Sequence, residues 1–463
     1  MTSNTSKTGF NSSFGAIMAA AGSAVGLGNI WRFPYICGKY GGGAFLLVYI
    51  FFVFFIGMVL MMSEFVIGRR SKEAPIRAYA TLCPKHTSWK LVGLLGLITC
   101  FLILAIYLVI SGWTLNYFWE SLTGTLSSIP INGFKLHFNT FASSAVRPAV
   151  FIVAFLIFTF LVIVGGVQKG IERVSKLLMP ILVVLLIVMC VRSLTLEGAS
   201  EGVAYLFNPD FTKLTGEGVL AALGQALFSL SVGMGVMIVY GSYLPVDDNI
   251  LKTSMWITLC DFFIAVLSGV AIFPAVFACG QEPTGGPGLV YEVLPVVFQS
   301  FGGLGTVFAT VFFLLLSLAA LTSAISLLEA LTAWLNKNGM RRFSAALLIS
   351  VLVVFLSIAA SFAYGDADNA KTSLSNGIWY DIKIAEMSIY EFLDKLTGTY
   401  LPPICAFLTI IFFGWVMKKE DIMDELSNHG TVKIGYFNVF YYFLVRFVAP
   451  VALLVVLVAG IIK

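Results

Sequence analysis

The chain has 463 residues, of which 59% are hydrophobic and 11% charged. A water-soluble domain carries about a quarter charged residues, so this chain cannot clothe itself in a solvated surface, and lipid must be its main solvent. The formal net charge of +4 is small; it gives no case for a nucleic-acid partner, and its distribution is more telling than its size.

The polar start Met1–Ser13 runs directly into the first long apolar segment, with no cleavable signal. A helix needs about 20 apolar residues to cross a bilayer. By that measure eleven spans are predicted: 14–36, 44–67, 91–118, 148–166, 177–194, 219–243, 253–279, 304–335, 343–362, 389–416 and 437–461. The fold class is therefore all-α integral membrane, because an open strand cannot satisfy its backbone in lipid. Arg69, Arg70, Lys72, Arg77, Lys85 and Lys90 lie between spans 2 and 3. Lys169, Arg173 and Lys176 lie between spans 4 and 5, Arg341 and Arg342 between 8 and 9, and Lys418 and Lys419 between 10 and 11. These connections share one side, which the positive-inside rule makes cytoplasmic. The odd connections carry acids instead: Glu197, Glu201, Asp210 and Glu217, then Asp366, Asp368, Asp381 and Glu386. A multi-pass cell (inner) membrane protein with a cytoplasmic N-terminus and Lys463 outside is expected.

Span 1 contains Ala24-Val25-Gly26-Leu27-Gly28 and span 6 contains Ser231-Val232-Gly233-Met234-Gly235. Glycine weakens a helix by about 1 kcal/mol relative to alanine, so both spans are expected to unwind near the middle. Matching breaks at the start of two five-span halves point to an inverted-repeat carrier; small-residue helix packing is the plainer alternative. The expected organisation is a cytoplasmic segment (1–13), a first repeat (14–194), an extracellular loop (195–218), a second repeat (219–417), and a cytoplasmic loop with the last span (418–463).

A carboxylate at the bilayer centre costs about 3 kcal/mol, so Glu64 in span 2 and Asp261 in span 7 each need a reason. Asn29 follows the first glycine break, Ser229 precedes the second, and Thr322 and Ser323 are adjacent in span 8. Carboxylates, amide oxygens, hydroxyls and bare carbonyls form the oxygen set that a hard cation prefers. For Thr322 and Ser323 taken alone, hydroxyls bonded back to their own helix carbonyls are the favoured reading. A lone aspartate has no such reading, which makes Asp261 the most informative residue. The seven cysteines form no CxxC pair and read as small buried hydrophobes, and His86, His137 and His429 fall in polar connections and read as solvated. No Ser/His/Asp grouping, HExxH motif or phosphate loop sits at membrane depth, which argues against an enzyme. A channel would need a continuous pore, whereas a two-half pattern favours a carrier; a sensor that kept the fold and lost transport is a third class.

The run Gly26-Leu27-Gly28-Asn29-Ile30-Trp31-Arg32-Phe33-Pro34-Tyr35 resembles the first-span signature of the neurotransmitter:sodium symporter family. Gly41–Phe45, Gly166-Val167-Gln168-Lys169-Gly170-Ile171-Glu172 and Ser229–Gly235 match as well, so the resemblance runs along nearly the whole chain. It implies symport of an amino acid with two sodium ions, no organic cofactor, and a monomer sufficient for function. The first sodium would take Ala24, Asn29, Ser229, Asp261 and the substrate carboxylate. The second would take Gly22, Val25, Ala319, Thr322 and Ser323. Substrate contacts would be Ala24, Gly26, Tyr107 and Ser323, with Ile103, Phe228, Ser231, Met234 and Leu327 around the side chain. Arg32, Asp394 and Gln225 would form the outer gate.

The resemblance also bears on selectivity. Relatives that carry amines place an aspartate at the position of Gly26, so glycine there implies a substrate that brings its own carboxylate. Met234 stands where several relatives have phenylalanine, and an unbranched side chain makes room for hydrophobic or aromatic amino acids. The family commonly has asparagine at the position of Asp261, so the aspartate implies chloride-independent transport and, once sodium leaves, return of a proton. Gly170 and Pro180 match a bacterial-branch pattern in which the start of span 5 unwinds; an ordinary helix start at Pro180 reads the same residues equally well. The inner gate departs from the family pattern. Lys7 fits its basic member, but Asn336-Lys337-Asn338 stands where an acid is usual, leaving Ser242, Tyr243, Asp247 or Asp248 as candidates for another closure.

Overall fold

The computed structural model describes residues 9–144, 146–281, 288–364, 383–384, 386–432 and 435–461; Lys7, Asp366, Asp368, Asp381 and Lys463 lie outside the described residues. The apolar runs form helices because each closes its backbone hydrogen bonds within itself, as lipid requires. Among the described residues, nine helices are long and apolar enough to cross a membrane: Gly43–Ser71, Thr87–Leu122, Val146–Val164, Val167–Leu194, Ile250–Ala278, Gly302–Lys337, Arg342–Phe362, Ile389–Val416 and Val439–Ala459.

The two remaining predicted spans are the interrupted ones. Span 1 is a bent pair, Ser13–Ala24 and Gly28–Lys39, turned by 45°, with Val25 extended between them. Span 6 is Gly216–Ser229 followed by Val236–Tyr243. In its break Ser231, Gly233 and Gly235 all have positive φ (53°, 80° and 79°), a conformation that only glycine adopts without strain. Both breaks fall at the glycine pairs.

Spans 3 and 8, Lys90–Leu122 and Gly305–Lys337, are each 33 residues long and form the centre: 72% and 78% of their apolar windows are buried, against 33%, 33% and 28% for spans 4, 5 and 11. The latter therefore present most of their surface to lipid.

Span 5 does not begin at Pro180. Proline lies inside the helix Arg173–Leu194, which is preceded by a π-helical turn, Val167–Glu172, opened by Gly166 in a positive-φ conformation. The loop 195–218 holds a helix of its own, Ala199–Phe207, and a short apolar helix, Leu289–Gln299, lies between spans 7 and 8. His137 departs from the solvated reading. It sits on the helix Phe134–Ala142 with Nε2 2.8 Å from Oε2 of Glu120, a buried acid at the end of span 3 that also takes Arg147.

Candidate functional site

The break in span 1, the end of Gly216–Ser229 and the middle of span 7 meet at Asp261, which is fully buried. Its Oδ1 accepts from Asn29 Nδ2 at 2.8 Å and from Ser229 Oγ at 2.5 Å. Its Oδ2 accepts from Tyr49 Oη at 3.2 Å, and the same hydroxyl lies 3.1 Å from Ser229 Oγ. Asn29 also donates to the main-chain oxygen of Asp261 at 3.0 Å, and its own Oδ1 receives the Gly26 amide at 3.4 Å. Three of the sequence-predicted residues are thus one bonded cluster. Tyr49 is the member that sequence reading missed; a single hydroxyl in the otherwise apolar run Leu46–Phe52 was the available signal.

Glu64 has a different explanation. Its Oε1 accepts from the Gly233 amide at 2.7 Å, and the amides of Met237 and Ile238 also point to its carboxylate. It therefore caps the N-terminus of Val236–Tyr243, where exposed amides and the helix dipole favour an anion. Its carboxyl group braces the break in span 6 by accepting the Gly233 amide and belongs to the scaffold.

A second oxygen cluster lies where span 8 crosses Ser13–Ala24. Thr322 Oγ1 donates to Ala319 O at 3.0 Å and approaches Val25 O at 3.4 Å. Ser323 and Ser231 both donate to Ser23 O, at 3.0 and 2.9 Å. Ser23 and Ser326, which sequence reading did not single out, join hydroxyls at 2.7 Å. Gly22 faces this cluster: a Cβ built on it would lie 3.4 Å from Cβ of Thr322. The back-bonding expected for Thr322 exists, yet the same hydroxyl also points toward a bare carbonyl of the broken span.

Tyr107 turns its hydroxyl toward the break in span 1, where it accepts from the Leu27 amide at 3.1 Å. Gly26 is forced to be small, since a Cβ there would collide with Ser323 Oγ and lie 2.8 Å from Tyr107 Oη. Above this point is a cavity of about 220 Å³ lined by Ile103, Tyr107, Phe228, Arg32 and Asp394, among others. Ser231, Met234 and Leu327 are buried outside its lining. Arg32 stacks over the Phe228 ring at 4.8 Å and donates to Gln225 Oε1 at 3.4 Å and Gly398 O at 3.3 Å. Arg32 and Asp394 share the cavity without an ion pair within 4 Å among the described residues.

On the side with the basic connections, Tyr243 and Asp248 both make long-range side-chain contacts, Asp248 Oδ1 with the Ser13 hydroxyl and Tyr243 with span 8. The Tyr243 hydroxyl donates to Glu329 Oε1 at 2.7 Å. Glu329, fully buried, is paired with Arg342, whose Nε donates to Ile163 O at 2.7 Å. Arg69, read from sequence only as a topology marker, is buried here. It bonds Glu425 Oε2 at 2.6 Å and the main-chain oxygens of Glu425 and Asp248, each at 2.5 Å.

Comparison with known proteins agrees with this architecture. A model of the sodium:neurotransmitter symporter family matches residues 7–140 and 132–463. An uncharacterized sodium-dependent transporter, YhdH of Bacillus subtilis (strain 168), is 38% identical over 445 residues, covering 96% of each chain. A sodium-dependent transporter of Haemophilus influenzae is 35% identical and covers 99% of each. The crystal structure of MhsT in complex with L-phenylalanine superposes with a TM-score of 0.87 at 39% identity, over 98% of this chain and 99% of that one.

Proposed function

The chain belongs to the sodium:neurotransmitter symporter family and is a sodium-dependent membrane transporter, and on that premise we propose that it imports a hydrophobic or aromatic amino acid with two sodium ions, by alternating access and without chloride. The observation that carries the reading is the Asp261 cluster: a buried carboxylate, an amide and two hydroxyls converging beside unwound backbone. The carboxylate and hydroxyl oxygens are the kind a hard cation prefers and carry their own negative charge, and the Asn29 amide ties them to the break in span 1.

In this reading Asn29, Ser229, Asp261 and the Ala24 carbonyl hold the first sodium with the substrate carboxylate. Gly22, Val25, Ala319, Thr322 and Ser323 hold the second. The substrate lies against Ala24, Gly26, Tyr107 and Ser323, and its side chain is received by Ile103, Phe228, Ser231, Met234 and Leu327. Gly26 supports an amino-acid substrate, because the space where a protein anion would stand is closed by Ser323 and Tyr107. MhsT in complex with L-phenylalanine supports the aromatic class. Arg32, Gln225 and Asp394 form the outer gate, the basic connections face the cytoplasm, and a monomer suffices.

The reading is tested by flux into proteoliposomes of the purified chain, with a panel of labelled amino acids and sodium or potassium outside. Uptake should require sodium and rise with an inside-negative potential, which supplies about 2.3 kcal/mol per charge per 100 mV. Equal uptake in potassium would sink it. Thr322→Val should weaken sodium affinity while keeping side-chain shape, and an unchanged sodium titration would move the second ion elsewhere.

A further inference from the structure

The N-terminal segment is held on the basic side by few anchors. Phe10 N donates to Tyr243 O at 3.0 Å and its ring meets Tyr240 and Tyr243 edge-on, with centroids 5.7 and 6.0 Å away. Ser13 Oγ bonds Asp248 Oδ1. Span 5 supplies further anchors: from its π-helical turn Gln168 Nε2 donates to Gly9 O at 2.9 Å and Glu172 receives both Asn11 N at 2.8 Å and Ser12 Oγ at 3.1 Å, and from the helix that follows Lys176 Nζ donates to Ser12 Oγ at 3.1 Å. Lys176 Nζ completes the carboxylate at 2.6 Å. Glu172 is 2% exposed. Hydrogen bonds to a buried, ionised group are the strong kind, and leaving such a group half-satisfied is costly.

Glu172 is also the last residue of that turn. A π-helical turn is a poorly bonded stretch that frequently marks a functional position, and this one follows Gly166 in a positive-φ conformation. The packing of span 5 on span 1 is equally close. A Cβ on Gly15 would collide with Glu172 Oε1, so the first turn of span 1 sits directly on the carboxylate. Seven residues further along both helices, Met179 Sδ lies 3.5 Å from where a Cβ of Gly22 would be, at the second oxygen cluster. The same two helices thus touch at the clamp and at the proposed second sodium.

We infer that Glu172 is a positioning residue that makes release of the N-terminal segment and loosening of the start of span 5 one event, so that the two expose the second oxygen cluster together. This rests on the alternating-access reading above. Withdrawing residues 9–13 strips Glu172 of two donors and leaves it to Lys176; unwinding the π-helical turn carries Gln168 and Glu172 away from residues 9–13. Neither movement leaves the other segment as it was.

The test is amide hydrogen exchange on the full-length chain in nanodiscs, in sodium and in potassium. Glu172→Ala should speed exchange in both 9–24 and 167–180 by about tenfold or more, the scale expected for losing hydrogen bonds to a charged group. It should also abolish any sodium protection of 9–24; Glu172→Gln, which keeps an acceptor oxygen, should fall between. Wild-type exchange in 9–24 of Glu172→Ala, or faster exchange there with 167–180 unchanged, would overturn the coupling. Because an alanine at this buried position could unfold the region, Asn11→Pro serves as the second variant. It deletes the Asn11 amide donor without touching span 5 and must speed exchange in 167–180, a segment it leaves intact in sequence; an unchanged 167–180 overturns the inference. A wild-type chain whose segments ignore sodium would count against the proposed second sodium, whereas the variant comparison within one buffer decides the coupling alone.

Discussion

Asn29 donates to Asp261 twice with one nitrogen, to Oδ1 at 2.8 Å and to the main-chain oxygen at 3.0 Å. This fixes the break of span 1 against span 7 and leaves the carboxylate as the charge at the centre of the cluster. Two sodium ions and a zwitterionic substrate bring +2 into a low-dielectric interior, where uncompensated charge is expensive. Asp261→Asn should therefore transport weakly in gluconate, by about tenfold or more, and be at least partly restored by chloride, which the hydroxyls of Tyr49 and Ser229 are placed to receive. Wild-type transport should be the same in both anions. A wild type that needs chloride would remove the reason given for the aspartate.

Tyr49→Phe isolates the residue that pattern reading overlooked. The ring packs against Phe33 and Phe45, with centroids 5.0 and 6.5 Å away, so the phenylalanine keeps its place and only the hydroxyl is lost. Losing one partner of a buried network costs about 1–3 kcal/mol. Sodium affinity should fall about five- to a hundredfold with normal expression, and an unchanged affinity would show that the hydroxyl is structural.

Met234 is 2% exposed. Met234→Phe adds an inflexible ring, and overpacking a full interior costs about 1–3 kcal/mol. Competition against labelled substrate should show aromatic amino acids losing more than small aliphatic ones, while tyramine and tryptamine compete poorly against either protein. Equal losses for both classes would mean that Met234 does not set the size of the pocket.

Removing Arg342 leaves Glu329 buried with Tyr243 alone among its described partners. Breaking a buried pair from one side costs about 3–5 kcal/mol, whereas replacing both charges is milder. Arg342→Ala should lower thermal stability in detergent sharply, and Arg342→Ala combined with Glu329→Gln should recover part of the loss. Additive losses would mean that the pair is not coupled.

Much of this was legible in the sequence because lipid allows few solutions, and apolar runs of about 20 residues fit only the helical one. Hydropathy located the spans, and paired glycines located both breaks. Asn29, Ser229 and Asp261 were visible as polar groups in apolar runs. What escaped was what depended on a partner that the local pattern does not reveal, whether 17 residues away, as Glu120 is from His137, or several hundred. Tyr49 reads as an ordinary span-2 aromatic until Asp261 lies beside it, and Arg69 reads as a topology marker until Glu425 folds over it. Pro180 reads equally as a helix start or an interior residue, and only the turn Val167–Glu172 before it decides.

The two central helices have one more consequence, for the bilayer itself. At 1.5 Å per residue, 33 residues reach about 50 Å, well beyond a hydrocarbon core of about 30 Å. Lys90–Leu122 and Gly305–Lys337 can meet a thicker or thinner membrane by sliding headgroup-level turns in or out. The 19 residues of Val146–Val164 reach only about 28 Å and have no such reserve. Sensitivity to acyl-chain length should thus originate at the rim of the bundle, with the centre indifferent to it.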